Sequence, residues 1–172
     1  MIETERLRLI PAGHEHFAAM REGDAALGAL LGVRVAQEWE GVAEFRDAIA
    51  GGGKFLEEHP DAVGWWTYLF VHKPDQTLIG VGGCKGAPKE GAAEIGYALA
   101  PAYRGRGLAL EAATGLRDYA FADERVERVI AHTLPEPNRS NHLLEKLGMR
   151  FDGVVSDPDE GDVWRWSVER PA

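Results

Sequence analysis

Residues 92–113 read AAEIGYALAPAYRGRGLALEAA, and the reading of this stretch decides the fold. A short apolar run, residues 92–99, carries a single carboxylate, Glu94. Pro101 stops it, a basic glycine-rich turn follows at Arg104-Gly105-Arg106-Gly107, and Leu108 opens a segment with helical spacing. Strand, glycine turn and helix in that order make an anion site. Glycines let the backbone come close to a ligand, the first N–H groups of a helix have no internal partner, and the helix dipole adds partial positive charge there. The expected occupant is a phosphate or pyrophosphate. Two common nucleotide motifs are excluded. A dinucleotide-binding fingerprint needs a third glycine at position 110, which is Leu110, and a P-loop needs Gly-Lys-Ser/Thr, whereas Gly107 is followed by Leu108 and Ala109.

Around this stretch the chain has the size and composition of one folded unit. Its 172 residues suit a single domain with a full-sized core, and 45% hydrophobic residues exclude a disordered chain. The apolar runs are far too short to span a bilayer. The first residues, MIETERLRLIPAG, carry two acids and no long apolar core, unlike a signal peptide. One cysteine, Cys84, has no internal partner for a disulfide, which fits a reducing cytoplasm. A net charge of -9 argues against non-specific nucleic-acid binding.

Outward from residues 92–113, the pattern alternates strands and helices. Residues 5–10 alternate charged and apolar and read as a strand ended by Pro11 and Gly13; residues 14–21 are a helix candidate. Residues 25–42 suggest short helices and a loop. Residues 44–49 read as helical, with Gly51-Gly52-Gly53 as a break and one further turn of helix at 54–58. WWTYLFVH (65–72) is a strand by aromatic and β-branched content, Lys73-Pro74-Asp75-Gln76 its hairpin turn, and residues 77–84 the partner strand. Gly80, Gly82 and Gly83 in that partner mark close backbone approach. After the turn at 104–107, Ala109, Ala112, Ala113, Leu116 and Ala120 form one apolar helical stripe. Residues 126–133 are a strand and residues 142–147 a helix ended by Gly148. Residues 151–155 and 163–168 make a closing hairpin, with Trp164, Trp166 and Val168 on one face.

Arg104-x-x-Gly107-x-Ala109 after a strand resembles the acyl-CoA signature of the GNAT acetyltransferases, Gln/Arg-x-x-Gly-x-Gly/Ala. Asn138-x-Ser140 before Leu144-Glu145-Lys146-Leu147-Gly148 resembles the second motif of the family, Asn-x-x-Ser/Ala before a Leu-Glu-Lys-Leu-Gly-Phe helix. The chain departs from it in Met149, where phenylalanine is usual, and in the Pro-Glu-Pro before Asn138. The resemblance covers roughly residues 66–168 and is greatest to the ribosomal-protein N-terminal acetyltransferase branch (RimJ/RimL type). It implies a single-domain α+β fold over residues 1–172: a mixed, mostly antiparallel central sheet with helices on both faces and a splayed pair of parallel strands, here at Ala92 and Val129. It implies acetyl-CoA as cosubstrate, with no metal, and direct attack of an amine on the thioester. Backbone groups of Ala98, Leu99 and Ala100 would hold pantetheine. Arg104, Gly105, Arg106, Gly107, Leu108 and Ala109 would hold the pyrophosphate, and Asn138 the pantetheine or ribose side.

Two residues are candidates for chemistry. Glu94 shares a strand face with Gly96 and Ala98, so one carboxylate has room beside it for a ligand. An acceptor amine is protonated at neutral pH and must lose that proton, and burial would raise the carboxylate's pKa toward a useful value. Glu94 stands ten positions before Arg104, as the base glutamate does in histone acetyltransferase relatives. The plain alternative is a carboxylate exposed or paired with Arg or Lys. Ser140 is the expected donor to the leaving thiolate, and equally an ordinary helix N-cap, as is Asn138. Tyr97 and Tyr103 rank below it as donors. His132 and His142 are expected as peripheral contacts, His14 and His16 as surface residues, and Cys84 as a small strand residue. The acceptor expected is a peptide or protein N-terminal α-amine, with no nucleic acid or membrane partner and a homodimer left open. The alternatives are a small-molecule amine as acceptor and a non-catalytic acyl-CoA sensor on the same fold.

Overall fold

The computed structural model describes residues 1–41 and 43–172, with the side chains of residues 43 and 44 set aside. The elements are β1 (Ile2–Glu3), β2 (Leu7–Pro11), α1 (His14–Glu22), α2 (Asp24–Leu31), β3 (Arg34–Val35), α3 (Ala43–Glu58), β4 (Thr67–His72), β5 (Thr77–Cys84), β6 (Ala92–Leu99), α4 (Leu108–Ala122), β7 (Arg128–Thr133), α5 (Arg139–Lys146), β8 (Arg150–Asp157) and β9 (Gly161–Glu169). The strand order is β1-β2-β4-β5-β6-β7-β9-β8, with β3 added beside β5. The pairings are antiparallel except β6–β7 and the short β3–β5.

Strands β4 and β5 are buried nearly throughout, because helices cover both faces. Alternation along β4 divides the core. Tyr68 and Phe70 pack with Ile95 and Leu99 of β6 and with Leu108, Ala112 and Leu116 of α4. Leu69 and Val71 pack with Phe17 of α1, Leu27 of α2 and Leu56 of α3. The alanine stripe expected on α4 is its buried face. Gly80 and Gly82 are close-approach glycines: a Cβ on either would lie 2.5 Å from a β6 carbonyl oxygen and about as close to a large side chain.

One expectation fails in the first third. Gly51-Gly52-Gly53 do not break the chain; α3 runs through them unbroken. The reason is packing on α1. A Cβ on Gly52 would lie 2.4 Å from the Phe17 ring, and one on Gly53 would lie 2.9 Å from Arg21 Nη1 and 3.3 Å from Phe17 Cβ. Glycines that normally weaken a helix by ~1 kcal/mol each are kept because they let two helices approach. Residues 25–41 hold α2, β3 and a buried Trp39, whose indole donates to Asp24 Oδ1 at 3.0 Å; the end of that stretch, Val42, lies outside the described residues.

The feature that makes a site is the β6–β7 pair. Pairing runs only over Ala92–Glu94 against Arg128–Ile130. Beyond it β6 follows β5 to Leu99, while β7 follows β9 to Thr133. The two strands diverge and a gap opens through the sheet.

Candidate active site

A cavity of about 300 Å³ occupies this gap. Glu94 and His132 line it on the α3 side, with Phe45, Ile49 and Trp66; Tyr97, Ser140 and Leu144 line it on the α4–α5 side. Strand alternation produces this division. Gly96 and Ala98 share the α3 face with Glu94, and a Cβ on Gly96 would reach Phe45 at 3.4 Å. Ile95, Tyr97 and Leu99 turn toward α4.

Glu94 is bound at one oxygen by two donors. Lys85 Nζ lies 2.7 Å and His132 Nδ1 2.9 Å from Glu94 Oε1. Lys85 sits directly across from Glu94 in the antiparallel ladder, its N–H donating to the Glu94 carbonyl at 3.0 Å. Burial acts to raise the pKa of Glu94, but the hydrogen bonds and charges of His132 and Lys85 outweigh it, and the carboxyl lies below its ordinary range. The expectation of a raised value is therefore overturned. For Lys85 burial acts downward, and Glu94 with the nearby Glu160 and Asp157 carries the amine above its ordinary value. An ionised carboxylate only accepts hydrogen bonds, so Nδ1 of His132 is the donor in this pair. His132, expected at the periphery, is a wall of the cavity.

On the opposite face Asn138 caps α5, its Oδ1 accepting from Asn141 N at 3.2 Å. Ser140 is the second residue of that helix, not its cap, and lies half-buried at the cavity beside Tyr97. Burial pushes the Tyr97 hydroxyl up to about 12, with Ser140 acting in the other direction. Tyr103 lies elsewhere: its hydroxyl donates to Asp75 Oδ2 at 2.7 Å. Cys84 lines the cavity with its thiol pushed up to about 12 by burial, so it stays protonated at neutral pH.

The glycine turn has the geometry of an anion site. Gly105 and Gly107 are left-handed, with φ of 75° and 76°, and Gly107 is the N-cap of α4. The first helical bond is Glu111 N to Gly107 O, so the amides of Leu108, Ala109 and Leu110 have no acceptor within the helix. Arg104 and Arg106 do not project freely. Arg104 donates to Leu99 O (3.1 Å) and Gly41 O (3.3 Å); Arg106 donates to Ala102 O (3.0 Å) and lies 5.0 Å over the Tyr103 ring. Arg6 is the guanidinium that sequence reading missed. It donates to Arg106 O at 3.0 Å and to Glu111 Oε2 at 2.7 Å, so it braces the turn.

The expected backbone contacts on β6 need one correction. Ala100 N donates to Ile79 O at 2.8 Å, and Glu94 O accepts from Lys85 N. Even-numbered residues therefore spend their main-chain groups on β5, Ala98 included. Past Glu94 it is Tyr97 and Leu99 that turn theirs away from β5, and the Leu99 carbonyl accepts from Arg104 Nε.

Residues 6–150 match the family described as acetyltransferase (GNAT) domain. The chain belongs to the GNAT acetyltransferase family. It is 31% identical over 149 residues to the N-acetyltransferase YjdG of Bacillus subtilis, covering 86% of this chain and 88% of that one. It is 28% identical over 127 residues to the ribosomal protein uS5-alanine N-acetyltransferase of Escherichia coli, covering 69% and 64%. Solved structures with this fold include RimL, an α-N-protein acetyltransferase of ribosomal L7/L12, in complex with CoA (TM-score 0.66, 18% identity, 96% and 95% covered). They also include spermidine N-acetyltransferase from Vibrio cholerae (TM-score 0.65, 18% identity, 97% and 95% covered). This GNAT chain is thus an acyl-CoA-dependent N-acetyltransferase of the α+β fold its motifs implied. Among the described residues no helix is long and apolar enough to cross a membrane, and no cluster of three metal-ligating side chains occurs.

Proposed function

We propose that this GNAT enzyme acetylates the free α-amine of a peptide or protein N-terminus, with residues 1–172 acting as one catalytic unit in a reducing cytoplasm. The observation that carries the reading is the cavity through the β6–β7 gap, with an anionic site on one sheet face and hydroxyls on the other.

The residues present fit acetyl-CoA, which when bound supplies the acetyl thioester. Left-handed Gly107 and the free amides of Leu108 and Ala109 suit a diphosphate, and Arg104, Gly105 and Arg106 shape that turn. The main-chain edge of Tyr97 and the N–H of Leu99 suit the amides of the pantetheine arm. Asn138 contributes by fixing the start of α5 rather than through a free side chain. On the α3 face Glu94 attracts the acceptor ammonium and supplies the negative charge against which it loses a proton. On the α5 face Ser140, with Tyr97 beside it, is positioned to give a proton to the departing sulfur.

Two arguments favour an α-amine. The E. coli relative that aligns over most of this chain is named for acetylating a ribosomal-protein alanine. An α-amine has a pKa near 8 and a lysine amine one near 10.4, so deprotonation costs about 3 kcal/mol less. The test is a panel of short peptides starting with Ser, Ala or Thr, the same peptides N-terminally blocked but carrying lysine, spermidine and an aminoglycoside. Turnover is expected on the free N-termini. Robust acetylation of the small amines with silent peptides refutes the acceptor and leaves the acetyltransferase intact.

A further inference from the structure

The depressed pKa of Glu94 raises a chemical question. A carboxylate stabilised by an ammonium and an imidazole is a poor direct proton acceptor at neutral pH. The group that Glu94 holds is a better one. We propose that His132 is a catalytic residue for acetyl transfer: its Nε2 takes the proton from the acceptor ammonium, while Glu94 fixes the Nδ1–H tautomer and Lys85 keeps Glu94 ionised. The proposal rests on the acetyl-transfer reading of this cavity and is independent of which amine is the acceptor.

Four observations combine. His132 Nδ1 is 2.9 Å from Glu94 Oε1, which assigns the Nδ1 proton. Both side chains are shielded but not sealed, 17% and 20% exposed, as a base that meets substrate must be. Nε2 has no protein partner among the described residues, and the ring lines the cavity on the acceptor face. Lys85 bridges from the neighbouring strand to the same carboxylate oxygen at 2.7 Å. A base oriented through its second nitrogen by a buried carboxylate is a recurring arrangement for proton removal at neutral pH, since imidazole is the side chain that ordinarily changes charge there.

The step balances. The ammonium gives one proton to Nε2, forming an imidazolium that faces Glu94. The freed lone pair forms the C–N bond as the C–S bond breaks and the sulfur takes its electron pair. The second amine proton goes to the sulfur, through Ser140, and the imidazolium returns its proton to solvent. One proton is released per turnover. The charges that face His132 are Glu94 from β6, Lys85 from the end of β5, Asp157 from β8, Glu160 from the hairpin turn and Arg165 directly across on β9. Arg165 is itself 3.8 Å from Asp152. Removing Lys85 leaves more net negative charge near the ring and stabilises the imidazolium.

The test is His132→Gln and His132→Ala beside the parent, with the best amine of the acceptor panel. Expected are a fall in kcat of about 10²–10⁴-fold, loss of the acidic limb of the pH–rate profile, unchanged CoA affinity by calorimetry, and partial rescue of His132→Ala by added imidazole. Lys85→Met is expected to move the acidic limb to higher pH. A His132→Gln enzyme with parental kcat and the parental acidic limb overturns the proposal, whichever amine is used. A second measurement needs no turnover: ¹⁵N shifts of the ring should report the Nδ1–H tautomer in the parent at neutral pH. An Nε2–H tautomer refutes the assignment even if the acceptor reading holds, and parental silence on peptides alone refutes only the acceptor.

Discussion

Glu94→Gln is the substitution that asks most of this site. Gln keeps the shape of the side chain but brings an amide N–H₂ to a place where two donors, Lys85 Nζ at 2.7 Å and His132 Nδ1 at 2.9 Å, converge on one oxygen. The amide has no charge to hold the ammonium. It also offers the imidazole a donor as readily as an acceptor, so the ring is free to turn over to the Nε2–H tautomer, which has no lone pair toward the acceptor. Loss of a positioned base is worth about 10²–10⁴ in rate, or roughly 3–5 kcal/mol in the barrier. Loss of two charge-assisted hydrogen bonds, with Lys85 half exposed, costs stability of about 1–2 kcal/mol. The glycine turn at 104–107 lies at the other end of β6 and is untouched. The expected result is a kcat reduced at least a hundredfold, CoA affinity within twofold by calorimetry, and a modest fall in melting temperature. A kcat within threefold of parent would refute the reasoning. So would CoA affinity falling as far as kcat, because the residue would then be serving cofactor binding.

The same pair predicts the pH dependence of stability. The folded pKa of Glu94 lies below its ordinary 4.5, so its contribution is present above that value and is lost as pH falls through the folded one; that of Lys85 lies above its ordinary 10.5, so its contribution is lost only as pH rises past the folded value. Urea unfolding should show the parent's advantage over Glu94→Gln at pH 7 and its progressive loss as the pH falls below 4.5 toward the folded value. Gly107→Glu puts a left-handed non-glycine, at φ 76°, and a carboxylate on the free amides of α4; calorimetry should find CoA binding abolished and circular dichroism an intact fold. Asn138→Ala removes the cap of α5 and should cost about 1 kcal/mol in denaturant melts, whereas Ser140→Ala, inside the helix, should leave melting nearly unchanged and lower kcat. Gly52→Ala improves helix propensity yet should destabilise by about 1–3 kcal/mol, because its Cβ would lie 2.4 Å from the Phe17 ring; a stabilised variant would mean that α1 gives way easily.

What was legible in the chain was what local chemistry decides. The turn at 104–107 is built by its own glycines and the proline before it. The strands at 77–84 and 92–99 are delimited by turn residues, and the glycines at 80 and 82 announced a close approach that β6 then supplies. Where readings failed, the cause lies far along the chain. Three consecutive glycines read as a break because the Phe17 ring that rewards them belongs to another helix. Asn138 and Ser140 are near-equal caps by residue type, and the choice depends on where the turn after β7 releases the backbone. Lys85 was the reachable omission: an antiparallel hairpin that pairs Cys84 with Ile95 puts position 85 against position 94, and a cation across from a lone carboxylate follows from register alone. His132 was not reachable that way. It meets Glu94 across 38 residues because the parallel pair releases after Ile130, so that the residue two positions on is paired only with Arg165 of β9 and borders the gap on its β6 side. The release of β7 that opens the cavity therefore also delivers the imidazole to it, and a change that extended the β6–β7 pairing would close the cavity and withdraw the proposed base together.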